Sequence, residues 1–171
     1  MTFVLPCPAM TAPLPPTGPS WRYQLRVEIP ATEAAILKDA LAGEPFGLRA
    51  RLGAEELDRQ IAALELHVDA VSAERWQDFE KDLEILSVYL TEYVVGREIH
   101  VQLEAASPRV EAWKIIARRG QTVRLSLLVD WDGGRIVDRG EDLDDVKRRW
   151  ASFPEWVRGA LRANHPKLSG L

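Results

Sequence analysis

A chain of 171 residues, 46% of them hydrophobic and six of them Trp, is long enough to bury a core without a disulfide or metal staple, which excludes global disorder. Its one cysteine, Cys7, excludes an intramolecular disulfide and a zinc site built on thiolates. The net charge of −4 is unevenly spread: residues 1–108 hold nine Lys and Arg against seventeen Asp and Glu, residues 109–171 thirteen against nine.

No apolar run reaches the length of a membrane helix, and the first basic residue is Arg22, so neither a spanning segment nor a signal peptide is expected. With a single cysteine, the expected compartment is the cytoplasm.

Residues 1–20 carry six of the eleven prolines and no repeating apolar face, so they read as a disordered tail. Trp21, Tyr23, Leu25, Val27 and Ile29 then alternate with Arg22, Gln24, Arg26 and Glu28, the pattern of a half-buried strand. Thr32 opens a short helix to about Ala42, with Ile36, Leu37, Ala40 and Leu41 inward. Phe46, Leu48, Ala50 and Leu52 mark a second strand, and Leu64, Leu66 and Val68 a third.

Trp76, Phe79, Leu83, Leu86, Leu90 and Tyr93 recur at helical spacing and predict a long helix from Ser72 to Gly96. The β-branched and aromatic residues of 88–95 support a rival in which the helix ends near Leu86 and Val88 to Val95 is a strand. A fourth strand is expected around Ile99, Val101 and Leu103. The order β-α-β-β-α-β predicts an α+β domain of ferredoxin-like plait topology at 21–106, an antiparallel sheet with helices on one face.

Val110 to Arg119 fits strand or helix. Val123 to Trp131 alternates as a strand, Asp132-Gly133-Gly134 signals a tight turn, and a short strand returns from Arg135. Asp142, Asp144 and Asp145 open a helix that closes on Lys147, Arg148 and Arg149, which suits the helix dipole at both ends. Ser152 is expected to cap the last helix, with Glu155 completing a capping box. Residues 107–171 therefore read as a β-hairpin plus a helical extension packed on the core.

Three patterns bear on function. His67 and His100 fall on the polar sides of strands that would flank the first strand, which puts them with Arg26 on one open sheet face as an acid–base or anion site; a solvated or interface-facing surface is the plainer account. Asp130, Asp132, Asp138 and Glu141 match four positions of a calcium loop, but Arg135 stands where the loop needs Gly, so a hairpin turn is expected and no metal. Arg118, Arg119, Arg124, Arg148, Arg149, Arg158 and Arg162 form a basic set suited to nucleic-acid phosphates. The intervening Trp residues fall on apolar stripes, where core packing is the simpler role.

No phosphate loop, nucleophile elbow or dinucleotide fingerprint occurs in the sequence, so no cofactor is expected. The leading expectation is a non-catalytic protein-interaction or assembly module that self-associates or binds another protein. The alternatives are a nucleic-acid binder using the basic C-terminal half and a small-molecule enzyme built on His67 and His100.

Overall fold

Alternation of apolar and polar residues builds six strands among the described residues, and they join in one continuous sheet. The computed structural model describes residues 20–33, 35–36, 65–70, 79–103, 107–132 and 134–171. Its strands are β1 (Ser20–Glu28), β2 (Glu65–Ala70), β3 (Val94–Leu103), β4 (Arg109–Arg118), β5 (Gln121–Asp132) and β6 (Arg135–Glu141). They lie in the order β2-β1-β3-β4-β5-β6, each antiparallel to its neighbours. With helices α1 (Phe79–Val88), α2 (Leu143–Arg149) and α3 (Glu155–Asn164), the fold is α+β. The expected strand at 46–52, the start of the long helix at 72–78, most of the helix after Thr32 and the tail before Ser20 lie outside the described residues. Ile36, expected inward, is exposed.

The sheet curls. The first half of β5 pairs with β4 and its second half with β6, and the register shifts between Leu127 and Val129. An irregularity of this kind sharpens the local twist. The curl is strong enough for Asp138 and Glu141 on β6 to reach Arg97 on β3 and Lys114 on β4.

On the outer face lies α1. Leu83, Leu86 and Leu90 are buried there with Leu25 and Val27, which the register places on the same side as Gly96. Gly96 is the point of closest approach. A Cβ at this position would stand 2.4 Å from Leu83 Cδ1 and 2.7 Å from Phe79 Cζ. The missing side chain lets the helix sit directly on the strand.

This overturns the expected helix to Gly96. The helix ends at Val88, and Val94, Val95 and Gly96 are strand residues paired with Ala117, Ile116 and Ile115. The rival strand reading is right from Val94 onward only. The end of α1 is satisfied from outside: Arg119 N–H donates to Ser87 O at 3.2 Å, and Gly120 N–H to Ser87 Oγ at 2.8 Å. A helix whose late carbonyl is taken by another element has less reason to continue. The apolar stripe ran on because Leu90, beyond the helix end, is buried all the same, and Tyr93 packs against the cluster under the C-terminal helices. Residues buried for other reasons had extended the helical period.

Part of the inner face is covered by α2 and α3. Ile116, Leu125, Val146, Phe153, Val157, Leu161 and Leu168 form one buried cluster. Ile99, Val101, Ala112 and Leu127 form a second, farther along the same face. Asp142 caps α2, accepting from the amides of Asp144 at 3.0 Å and Asp145 at 3.2 Å. The expected Ser152 cap of α3 is not made: Ser152 Oγ donates to Arg149 O instead, and Pro154 occupies the N-cap. The segment 110–119, left open by its pattern, is strand β4.

Candidate functional site: an ionic belt inside the curled sheet

Antiparallel register aligns side chains into rows across a sheet. One row on the inner face runs from residue 67 through Arg26 and Arg97 to Lys114, linking β2, β1, β3 and β4. On β3 and β4 the neighbouring rows of the same face are apolar, Val95 beside Ile116 on one side and Ile99 beside Ala112 on the other, and on β1 the first of them holds Glu28. A line of cations thus crosses the sheet between two hydrophobic clusters.

Carboxylates converge on the row. Glu28 Oε1 lies 2.8 Å from Arg97 Nη1 and 3.2 Å from Arg26 Nη2. Asp138 Oδ2 lies 3.3 Å from Arg97 Nε. Lys114, only 8% exposed, donates to Glu141, whose other oxygen is 3.1 Å from His165 Nε2. His165 follows α3 and closes it: its amide bonds Leu161 O. Burial pushes the Glu141 carboxyl up, but the hydrogen bond and charge of Lys114, with His165 beside it, hold it below the usual carboxylate range.

The belt floors a groove of about 750 Å3 whose walls include Ile29, Pro30, Thr32, Tyr93 and Asn164. Its walls mix apolar surface with both signs of charge. Behind it, Glu33 closes the turn after α1: its carboxylate accepts from Thr91 N–H at 2.8 Å, from the Thr91 hydroxyl, and from Glu92 N–H at 3.3 Å. Burial pushes that carboxyl up as well, and the Thr91 and Glu92 donors more than offset it, leaving it below its ordinary value.

The histidines expected to share one face are separated. Position 67 pairs with Arg26, while His100 pairs with Tyr23, three residues away, so the register sets the two on opposite faces. Arg26 stays with position 67. His100 belongs to an outer-face cluster in which its Nε2 is 2.8 Å from Glu98 Oε1 and its ring meets Trp113 edge-on at 5.4 Å. Arg124 lies 4.7 Å over Trp113 and pairs with Glu98 at 3.3 Å and Glu80 at 3.4 Å.

Most arginines of the basic set are engaged by carboxylates. Arg148 and Arg149 pair with Asp145, Arg158 and Arg162 with Glu155, and Arg162 also lies over Trp150. Arg118 and Arg119 stand at the β4–β5 hairpin, where Gln121, the register partner of Arg118, accepts from the Trp156 indole N–H of α3 at 3.2 Å. The near-match to a calcium loop is a hairpin, with Gly134 left-handed at φ 92 and Arg139 bonded to Asp130 at 2.7 Å. Among the described residues, no group of three or more His, Cys, Asp and Glu is placed to hold a metal ion.

Sequence reasoning passed over Arg97 and His165, counted Lys114 only among the basic residues of the C-terminal half, and met Glu141 only as a position of the calcium-loop pattern. One signal was present: read as a strand, Val110 to Arg118 puts Lys114 on the same side as Ala112 and Ile116, a charge in an inward position. The acids on β6 gave no such signal, because only the curl brings them back over β3 and β4.

Among the described residues, no helix is long and apolar enough to cross a membrane. A scan against models of protein families, a search of curated proteins and a search of solved structures each return no match to this chain.

Proposed function

We propose that this chain is a non-catalytic interaction or assembly module, acting in the cytoplasm, that engages another protein or a further copy of itself. The observation that supports the reading is the groove over the ionic belt. Its charged groups are held by one another: Arg97 by Glu28 and Asp138, and Lys114 and His165 by Glu141. Groups fixed in this way present a defined pattern of charge to an incoming segment, whereas proton transfer needs a group free to exchange its proton with substrate. Apolar walls beside that pattern add contact area. The same reading keeps a ferredoxin-like arrangement as a proposal for the N-terminal half, because β2 and β3 flank β1 as the third and fourth strands of a plait would.

The test blocks the groove without touching the belt. Thr32 and Asn164 are exposed on its walls. The double variant Thr32→Arg/Asn164→Arg is compared with the wild type in affinity capture from the source cell, with and without nuclease. Proteins retained by the wild type, lost by the variant and resistant to nuclease support the proposal. Capture that disappears with nuclease transfers the function to nucleic-acid binding, and identical capture by both forms removes the groove from it.

A further inference from the structure

The charges around the groove do not balance. On its floor Arg26, Arg97 and Lys114 are matched by Glu28, Asp138 and Glu141, three cations against three carboxylates. Glu92 on the wall is a fourth carboxylate, and Glu33 behind it is a fifth. Neither makes an ion pair with a described residue: Glu33 is held by the Thr91 and Glu92 amides and the Thr91 hydroxyl. With His165 protonated the cations number four, and the carboxylates are still in excess.

The unmatched acid on the wall stands on a fixed backbone. Glu33 accepts from the Thr91 amide at 2.8 Å and from the Glu92 amide at 3.3 Å, so the chain that carries the Glu92 side chain is tied down. The Glu92 carboxylate itself is exposed and bonds nothing among the described residues. Tyr93 follows directly, a half-buried ring that packs on the cluster under α2 and α3 and also lines the groove. Ile29, Pro30 and Val95 extend the apolar wall. A carboxylate next to an aromatic ring suits a cationic head on a hydrocarbon stem. An incoming acid gains less, because each floor cation already holds a carboxylate that the acid would have to displace.

We infer that the groove takes a basic segment of a partner protein, in which a Lys or Arg reaches Glu92 and an apolar neighbour lies against Ile29, Pro30 and Val95. The inference rests on the reading of the chain as an interaction module and names the chemistry of the partner for that same groove. Tyr93 receives the stem of the basic side chain, and Glu92 its charge. Glu33 adds to the negative field from behind the wall. The neutralised belt below offers fixed dipoles and no net attraction for acids.

The probes are fluorescein-labelled peptides of alternating Lys and Leu and of alternating Glu and Leu, titrated into the full chain by fluorescence polarisation. The expected result is saturable, salt-sensitive binding of the Lys and Leu peptide alone, weakened about tenfold by Glu92→Lys and about threefold by Glu92→Gln. Both variants should melt with the wild type, because the bonds to Glu33 come from the Glu92 amide and not from its side chain. Glu84→Lys makes the same change of charge at an exposed position of α1 and should bind like the wild type, which separates the groove from the net charge of the chain. Absence of saturable binding, equal binding of the Glu and Leu peptide, or an equal loss in Glu84→Lys overturns the inference. So does light scattering that shows a dimer abolished by Glu92→Lys, because the groove then holds a second copy. If Thr32→Arg/Asn164→Arg still abolishes nuclease-resistant capture while the Lys and Leu peptide does not bind, the basic partner is overturned and the groove remains an interaction surface, so the two failures are told apart.

Discussion

The two faces of the sheet solve the same packing problem in different ways. On the outer face a single helix lies directly on the strands, and contact depends on a residue with no side chain, Gly96. On the inner face α2 and α3 cover only part of the surface, and the uncovered strip between two apolar clusters is filled by charges that neutralise one another. The difference teaches where tolerance lies. The outer face is limited by volume and the inner face by charge balance, so each should fail under a different substitution.

The sharpest way to break the inner face is to remove one partner of its most buried pair. Lys114→Met keeps the length and apolar stem of the side chain but leaves Glu141 facing His165 alone. Loss of one member of a buried pair costs about 3 kcal/mol, because the remaining charge is stranded away from water. The expected result is a lower urea midpoint with an unchanged slope. Adding Glu141→Leu should recover most of the loss, since the strip then joins the hydrophobic clusters on either side of it. A double variant as unstable as the single one would show that the belt is needed for the curl itself.

The matching substitution on the outer face is Gly96→Ala. One methyl group placed 2.4 Å from Leu83 Cδ1 and 2.7 Å from Phe79 Cζ forces the helix away from the strand. Overpacking of this kind costs about 2 kcal/mol, read as a drop in melting temperature. Leu83→Ala in the same molecule opens the required space, so the two losses should fall short of their sum. Strict additivity would mean that Ala is accommodated by moving the sheet and not the helix.

These two sites also mark what was legible in the chain. The strands of the C-terminal half were readable because β5 alternates from Val123 to Trp131 and ends in a turn of unmistakable composition. Helices α2 and α3 were readable from their stripes and from the acids in the first turn and the bases in the last turn of α2. The end of α1 was not, because its termination is written in Ser87, Arg119 and Gly120, more than thirty positions apart in the chain. Gly96 was read as a helix stop, the commonest use of a glycine after an apolar stripe, whereas its role is close approach in a strand. The candidate site was the least legible part. Arg26 was singled out, but its partner Arg97 comes from a strand whose register depends on where α1 ends, and Asp138 and Glu141 arrive through the curl of β5.

A smaller effect sharpens the comparison at the edge of the groove. Glu33 ties the turn after α1 to the chain that follows β1, and it does so through a carboxylate that accepts from two backbone amides and a hydroxyl. Its pKa is lower in the folded chain than in the unfolded one. The ionised form is therefore favoured by folding, and its contribution is complete above the unfolded value of about 4.3 and is lost as pH falls through the folded one. Glu141 shifts in the same direction, so both carboxylates destabilise the fold on acidification. Glu33→Gln keeps an acceptor but removes the charge, at about 1 kcal/mol near neutral pH. Measured from pH 7 down to about pH 3, the wild type should lose stability faster than Glu33→Gln, and the two curves should draw together at the acid end. If the curves stay parallel over that range, Glu33 is not the acid-sensitive tie, and the acid response of the turn belongs to Glu141 and the belt instead.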